Sequence, residues 1–440
     1  MSTDTSVHDG ATEPEPDEPP SPSLARHGDF NKLWLGQAIS AFGSEITTLA
    51  LPLTAIIYLQ ASATQLGIMS MLRELAFLGP MLFFGVLVDR MRRRPLMVTA
   101  DLGRFLLIGM IPVLAFLDSL TMIALYVAAF GIGCLSVIFD LAYRSYLPGI
   151  VSREQLMAGN SRLQATDSLS QITGPGLAGV LVQLMRAPFA LAVDAVSFLV
   201  SAVSIMAVRK KEPPIERAPE DLGRGWRGVF ADIGAGLKIT LRHPVIRALA
   251  GNSATFNFFS VLMLTLFVLY ATREFNLSPA ALGAIFAAFG VGGLLGAMSL
   301  GTLLGKLGYG RLLIFVYILA VVPIMAIPVV DGPPLVAGIL FGVIHFIVGF
   351  GIVGSNIAEM TLRQLIVPQN ILGRVNASFR FLIGGLVPIA ALIAGLLGDG
   401  IGLRATLVVT AVGIPLSLVW LIASPIPRLR TVEDAERVAS

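Results

Sequence analysis

Gly85-Val86-Leu87-Val88-Asp89-Arg90-Met91-Arg92-Arg93-Arg94-Pro95 lies between two long apolar segments, at about 66–88 and 96–117. It places five charges within six positions. Hydrocarbon cannot hold such a cluster, because each charge at the bilayer centre costs at least ~2.5 kcal/mol. The stretch is therefore a turn in water at one membrane surface. Its excess of Arg assigns the surface, because short loops rich in Lys and Arg stay on the cytoplasmic side.

The rest of the composition agrees. The 440 residues are 55% hydrophobic and 13% charged, with a mean hydropathy of +0.80. A soluble domain carries roughly a quarter charged residues, so this pattern specifies a polytopic helical membrane protein. The apolar runs are too long for the strands of a β-barrel. A pI near 9.1 does not signal nucleic-acid binding here, since the basic residues sit in short loops. A lone Cys134 and four scattered His supply neither a disulfide framework nor a metal site. No Gly-x-x-x-x-Gly-Lys-Ser/Thr string occurs, which speaks against an ATP-driven pump. No cofactor is expected, and the chain does not read as an enzyme.

Twelve apolar segments can be counted, at about 32–59, 65–88, 95–117, 121–144, 164–185, 188–208, 246–271, 279–304, 310–330, 334–361, 378–398 and 402–424. Of the 31 Lys and Arg, 26 fall in the N-terminal tail, the even-numbered loops and the C-terminal tail, and three fall in the other loops. Both termini are thus expected in the cytoplasm of a protein of the cell membrane. Residues 1–29 are rich in Pro and acid with no apolar core, and read as a disordered tail without a signal peptide. Residues 30–208 form the first six-helix unit and 246–424 the second. The linker 209–245 carries an amphipathic piece from Trp226 to Arg242, suited to the inner leaflet with its cations toward anionic lipid. Residues 425–440 are a second cytoplasmic tail.

The two units repeat. A shift of 216 residues aligns Gly85 with Gly301, Arg90 with Lys306, Ile150-Val151 with Ile366-Val367, Asn160 with Asn376, and Gly179 with Gly395. A duplicated six-helix unit about a central site is how many secondary transporters are built.

On these residues the chain resembles the major facilitator superfamily. The loop pattern of that superfamily, Gly-x-x-x-Asp-(Arg/Lys)-x-Gly-(Arg/Lys)-(Arg/Lys), is met at Gly85, Asp89, Arg90, Arg93 and Arg94, with Arg92 where the family has Gly. The export string Gly-Pro-x-x-Gly-Gly appears in span 5 as Gly174-Pro175-Gly176-Leu177-Ala178-Gly179. Ala178 replaces one glycine, and Ser161 and Ser170 replace two upstream ones. The stretch from Leu147 to Ser161 resembles the branch that contains the enterobactin exporter and the macrolide-efflux proteins. The resemblance implies an all-α fold of twelve transmembrane helices in two pseudo-symmetric bundles, working as a monomer. It also implies proton antiport, with spans 1, 4, 7 and 10 lining the cavity.

Ionisable residues inside spans are the functional candidates. Glu45 lies near the middle of span 1 and ranks first as the proton-coupling carboxylate. The bland reading is a Glu tied down by a hydrogen bond at a helix crossing. Arg73 and Glu74 are neighbours in span 2; side chains one residue apart diverge by about 100° on a helix, so they need not pair with each other. His345 sits midway along span 10, either titrating or simply satisfied in the core. Asn257 and Asn356, with Asn252 and Phe256, are candidate substrate contacts. Asp101 with Arg104, and Asp140 with Arg144, have the spacing of same-face pairs and read as gate or scaffold pairs. Asp167, at the expected start of span 5, would complement that helix's N-terminus. Asp194 has no evident partner. By the fold's symmetry Asp89 should reach the start of span 11 and latch the cytoplasmic side, whereas its twin position holds Gly305.

The reading is a proton-coupled efflux transporter of small amphipathic molecules: drugs, macrolides, a siderophore or another secondary metabolite. A lysophospholipid or nutrient transporter on the same fold, and a non-transporting membrane sensor, remain alternatives.

Overall fold

The computed structural model describes residues 24, 27–78, 91–152, 154–210, 212, 234, 236–431 and 433–434. Among them the chain is helical without strands. The helices are α1 (Gly28–Leu53), α2 (Ala63–Leu78), α3 (Arg93–Phe116), α4 (Met122–Ile150), α5 (Leu156–Met185), α6 (Ala187–Met206), α7 (Pro244–Phe275), α8 (Pro279–Leu307), α9 (Tyr309–Val321), α10 (Pro334–Ile366), α11 (Gln369–Gly400), α12 (Leu403–Gly413) and α13 (Leu416–Ile422). The last two form one span broken before Pro415, and α9 tightens into a 3-10 segment at Pro323–Val329. Both breaks fall at proline, which has no N–H to give the helix. Past Pro52, α1 widens into a π-helical turn at Thr54–Tyr58.

Ten helices among the described residues are long and apolar enough to cross a membrane. The other two expected spans are accounted for differently. α2 is followed only to Leu78. α5 is long enough at 30 residues, yet carries Arg162, Asp167 and many hydroxyl and amide side chains. It also begins at Leu156 rather than near 164, because polar residues can extend a helix beyond the apolar stretch. Asp167 therefore lies in the interior of α5 and not at its N-terminus.

α1, α3, α5, α7, α9 and α11 start at one end of the bundle, which we call the basic end. The others start at the opposite end. Several polar contacts fasten the basic end of α1–α6. Lys32 donates to the Ala207 carbonyl at 2.9 Å, and Asp29 accepts from the Arg209 and Lys210 amides at 3.1 and 2.9 Å. Glu212 caps α3 by accepting from the Arg93 and Arg94 amides at 2.8 and 3.3 Å.

Inside the first six helices, a buried polar chain binds α1, α3 and α6. Asp101 pairs with Arg104 and accepts from the Ser201 hydroxyl at 2.7 Å. Ser201 in turn accepts from Gln37 at 2.9 Å. The Arg104 guanidinium lies over the Phe139 and Phe198 rings, 4.4 Å from each centroid. Asp194 accepts from Thr47 and from Ser197, so the residue without an evident partner has two. α1 comes this close to α6 because Gly36 faces Ser204 and Gly43 faces Ser197, and small residues let membrane helices approach.

The second six-helix set uses the same positions of the repeat. Tyr317, the counterpart of Asp101, and Ser253, the counterpart of Gln37, both donate to Glu359, at 2.7 and 2.8 Å. Arg363 stands 3.5 Å from the same carboxylate, over the Phe379 ring. Asn252 and Phe256 are buried beside this cluster, with the Phe256 ring 5.7 Å from that of Tyr317.

Removing one member of a buried charge pair strands the other. Asp101→Ala should destabilise the protein by about 3–5 kcal/mol, and the Asp101→Leu/Arg104→Leu double variant should recover most of that. Unfolding midpoints in detergent provide the check; a single variant as stable as the parent would show that the pair carries no load.

Candidate coupling and gating residues

Contact between α1–α6 and α7–α13 runs chiefly through α2 against α11 and α5 against α8. Both seams are tightest at the end away from the basic end, where glycines meet backbone to backbone. A Cβ on Gly67 would stand 2.9 Å from the Gly395 Cα, and one on Gly179 would stand 2.9 Å from the Gly283 Cα. These four glycines are counterparts under the 216-residue shift, so the two seams are copies of one another.

Toward the basic end the helices part. Asn160, Ser161 and Gln164 of α5 are exposed. Nothing lies within 4 Å of a Cβ built on Gly301 or Gly305 of α8. Among the described residues, the glycine contacts that join the two sets lie toward the end away from the basic end, which we call the sealed end.

Glu45 stands where α1 crosses α5. A Cβ on Gly174, the first residue of the Gly-Pro string, would meet the Glu45 Cβ and Cγ at 2.6 and 2.7 Å. The glycine thus makes room for the acid. The Glu45 side chain is half-buried and makes no hydrogen bond or ion pair with the described residues. The bland reading needs a hydrogen bond to hold this Glu at the crossing, and none is made to the described residues. A carboxyl group in this setting can exchange a proton without first breaking a structural contact. Pro175 follows without interrupting α5. The sequence did not reveal that the Gly-Pro string and Glu45 touch, since nothing in their spacing links positions 45 and 174.

The other candidates divide. Arg73 and Glu74 do pair with each other, through Nη2 to Oε1 at 2.9 Å and Nε to Oε1 at 3.2 Å. The two backbone directions diverge, but both side chains are long enough to swing together. Asp140 and Arg144, both exposed on α4, are not within ion-pair distance of each other, but their charges interact with one another and with Asp167 of α5. Spacing at i, i+4 permits a pair without enforcing one, and water competes for exposed charges. Asn356, the repeat counterpart of Asp140, is likewise exposed. Asn257 donates back to the Ser253 carbonyl at 2.8 Å. His345 is bonded to the Phe341 carbonyl at 2.8 Å and lies against the Phe267 and Phe286 rings, at 4.6 and 5.8 Å between centroids. These contacts favour the satisfied-core reading for His345.

Of the loop pattern, Arg93 and Arg94 open α3; Arg94 also donates to the Met206 carbonyl at 2.6 Å, at the end of α6. Gly85, Asp89 and Arg90 lie outside the described residues. So do residues 1–23, 25–26 and 435–440 of the tails and most of the amphipathic piece between Trp226 and Arg242.

Relatives place the chain. Residues 33–391 match the Major Facilitator Superfamily. The multidrug efflux pump Tap of Mycolicibacterium fortuitum is 28% identical over 404 residues, covering 90% of this chain and 95% of that one. Macrolide efflux protein A of Streptococcus pyogenes is 28% identical over 187 residues, which is 41% of this chain and 44% of that one. In three dimensions the chain superposes on a bacterial homologue of the iron transporter ferroportin in its inward-facing state, with a TM-score of 0.69 at 19% identity, covering 91% of this chain and 99% of that one. The nucleoside transporter NupG gives a TM-score of 0.68 at 12% identity, covering 90% and 98%. At such identities these structures speak for the fold alone. With the duplicated helices, the glycine seams and a family match across most of its length, the chain belongs to the major facilitator superfamily and is a multi-pass membrane transporter, not an enzyme.

Proposed function

We propose that this transporter exports small amphipathic molecules from the cell in exchange for protons, with Glu45 as the residue that carries the proton. The observation that carries the proposal is the Glu45 carboxylate packed on Gly174 of the Gly-Pro string with no hydrogen-bond or ion-pair partner among the described residues. The names of two relatives, a multidrug pump and a macrolide efflux protein, support export and an amphipathic cargo. The distribution of Lys and Arg supports cytoplasmic termini in the cell membrane. On that orientation the glycine contacts of the sealed end lie toward the outer face, which supports reading this as the state that would load cargo from the cytoplasm. One bundle suffices for this cycle: the two six-helix units rock about the space between them, so a monomer is the working unit.

A proton on Glu45 would bias the bundle toward one access state, and cargo would bias it toward the other. Each ligand can shift the equilibrium only by its differential affinity for the two states. The direct test uses purified protein in proteoliposomes with ethidium or erythromycin as cargo. An imposed pH gradient should drive cargo against its concentration gradient, and a protonophore should stop it. Cargo movement that ignores the proton gradient but follows a sodium gradient would overturn the proton assignment.

A further inference from the structure

The connection between α1 and α2, at the sealed end, is gripped by two charged side chains from the other six-helix set. Asp399, next to last in α11, accepts from the Ala63 amide at 3.0 Å and the Thr64 amide at 2.9 Å, one to each carboxylate oxygen. These are the first amides of α2, which no residue inside that helix can satisfy, and a carboxylate there also meets the positive end of the helix dipole. From α7, Arg273 donates to the Ala61 carbonyl at 2.8 Å and the Gln60 carbonyl at 3.4 Å. Thr64 completes the contact by donating to the Gly395 carbonyl at 3.3 Å.

The repeat supplies an internal control. Shifting by 216 residues places Gln183 opposite Asp399 and Ala280 opposite Thr64. Gln183 does accept from the Ala280 amide, at 3.3 Å. This twin clasp is weaker for two reasons visible in the residues. Position 279 is Pro, so the second amide does not exist. The counterpart of Arg273 is Ile57, so no guanidinium answers it. Charge-assisted hydrogen bonds are about twice as strong as neutral ones. The start of α2 is therefore held by two charged grips, one from α11 and one from α7, where among the described residues the start of α8 is held by one neutral one.

We propose that Asp399 and Arg273 are the positioning residues that set how firmly the end away from the basic end stays shut, and that release of their contact is what limits its opening. The proposal rests on alternating access between the two six-helix units, but its test needs neither cargo nor a proton gradient. It can therefore fail while proton-coupled export stands, and the reverse.

The experiment is a distance measurement by double electron–electron resonance on full-length protein in lipid nanodiscs. Cys134→Ser removes the native thiol, and Ser119→Cys and Leu335→Cys place spin labels on exposed residues of the two sets at the sealed end. Asp399→Ala and Arg273→Ala should each raise the ratio of long-distance to short-distance populations by at least about tenfold, as loss of one charged hydrogen-bonding group implies. Asp399→Asn, which keeps one well-oriented acceptor, should fall between Asp399→Ala and the parent. Gln183→Ala should change the distribution less than Asp399→Ala does. An unchanged distribution in Asp399→Ala, or in Asp399→Asn if the alanine variant does not insert, overturns the proposal. So does a larger shift in Gln183→Ala.

Discussion

Glu45→Gln should reduce pH-driven cargo movement in proteoliposomes to the level of empty vesicles, while the protein still inserts, folds and binds cargo. The substitution is close to isosteric, so the fit against Gly174 survives. No hydrogen bond or ion pair to the described residues is lost, because Glu45 makes none. Stability should stay within ~0.5 kcal/mol of the parent, the range of substitutions that disturb no structural contact. What disappears is the ability to gain and lose a proton at that site. Exchange of cargo against cargo across a membrane without a pH gradient should persist, since it needs no proton cycle. Retained pH-driven antiport in Glu45→Gln would remove Glu45 from the mechanism and turn attention to the other carboxylates of the spans.

Gly179→Val should abolish cargo movement of every kind, exchange included. A Cβ at this position would meet the Ala280 and Gly283 Cα atoms at 3.1 and 2.9 Å, and the Pro279 carbonyl oxygen is nearer still. All three are backbone atoms, so no rotamer change relieves the clash. The α5–α8 seam would have to part at the sealed end, and overpacking a tight contact costs about 1–3 kcal/mol. Because that cost falls on the state closed at this end, the equilibrium should move away from it by about five- to 150-fold. A transporter held out of one of its two states cannot turn over. Val180→Leu, at an exposed neighbour in α5, is the control and should transport normally. Normal exchange by Gly179→Val would show that the seam is more compliant than its backbone contacts imply.

The contrast between these residues shows what could be read in the chain. Glu45 was legible because a charge inside an apolar run is costly wherever the helix sits. Gly179 was legible as part of a motif, but its partner Gly283 was not. The clasp made by Asp399 was invisible, since an acid at the end of an apolar segment looks like an ordinary surface residue. Asp140 and Arg144 show the limit of spacing: their charges interact, but the pair is shared with Asp167 of α5, which i, i+4 spacing could not reveal.

The sequence by itself determined the class, the spans, the duplication and the family. Each follows from local composition or from comparing the chain with itself: apolar length against bilayer thickness, the clustering of charge between apolar runs, and a single shift that aligns four loops and helix ends. It also marked the one midplane acid whose presence needs explaining. Only the tertiary structure decided which of the charges are bound to others. Asp101, Asp194 and Glu359 are satisfied by residues that lie up to about 150 positions away, while Glu45 has no such partner among the described residues. Whether a buried charge is structural or available for chemistry depends on who its neighbours are in space, and helix packing brings together positions that no periodicity relates.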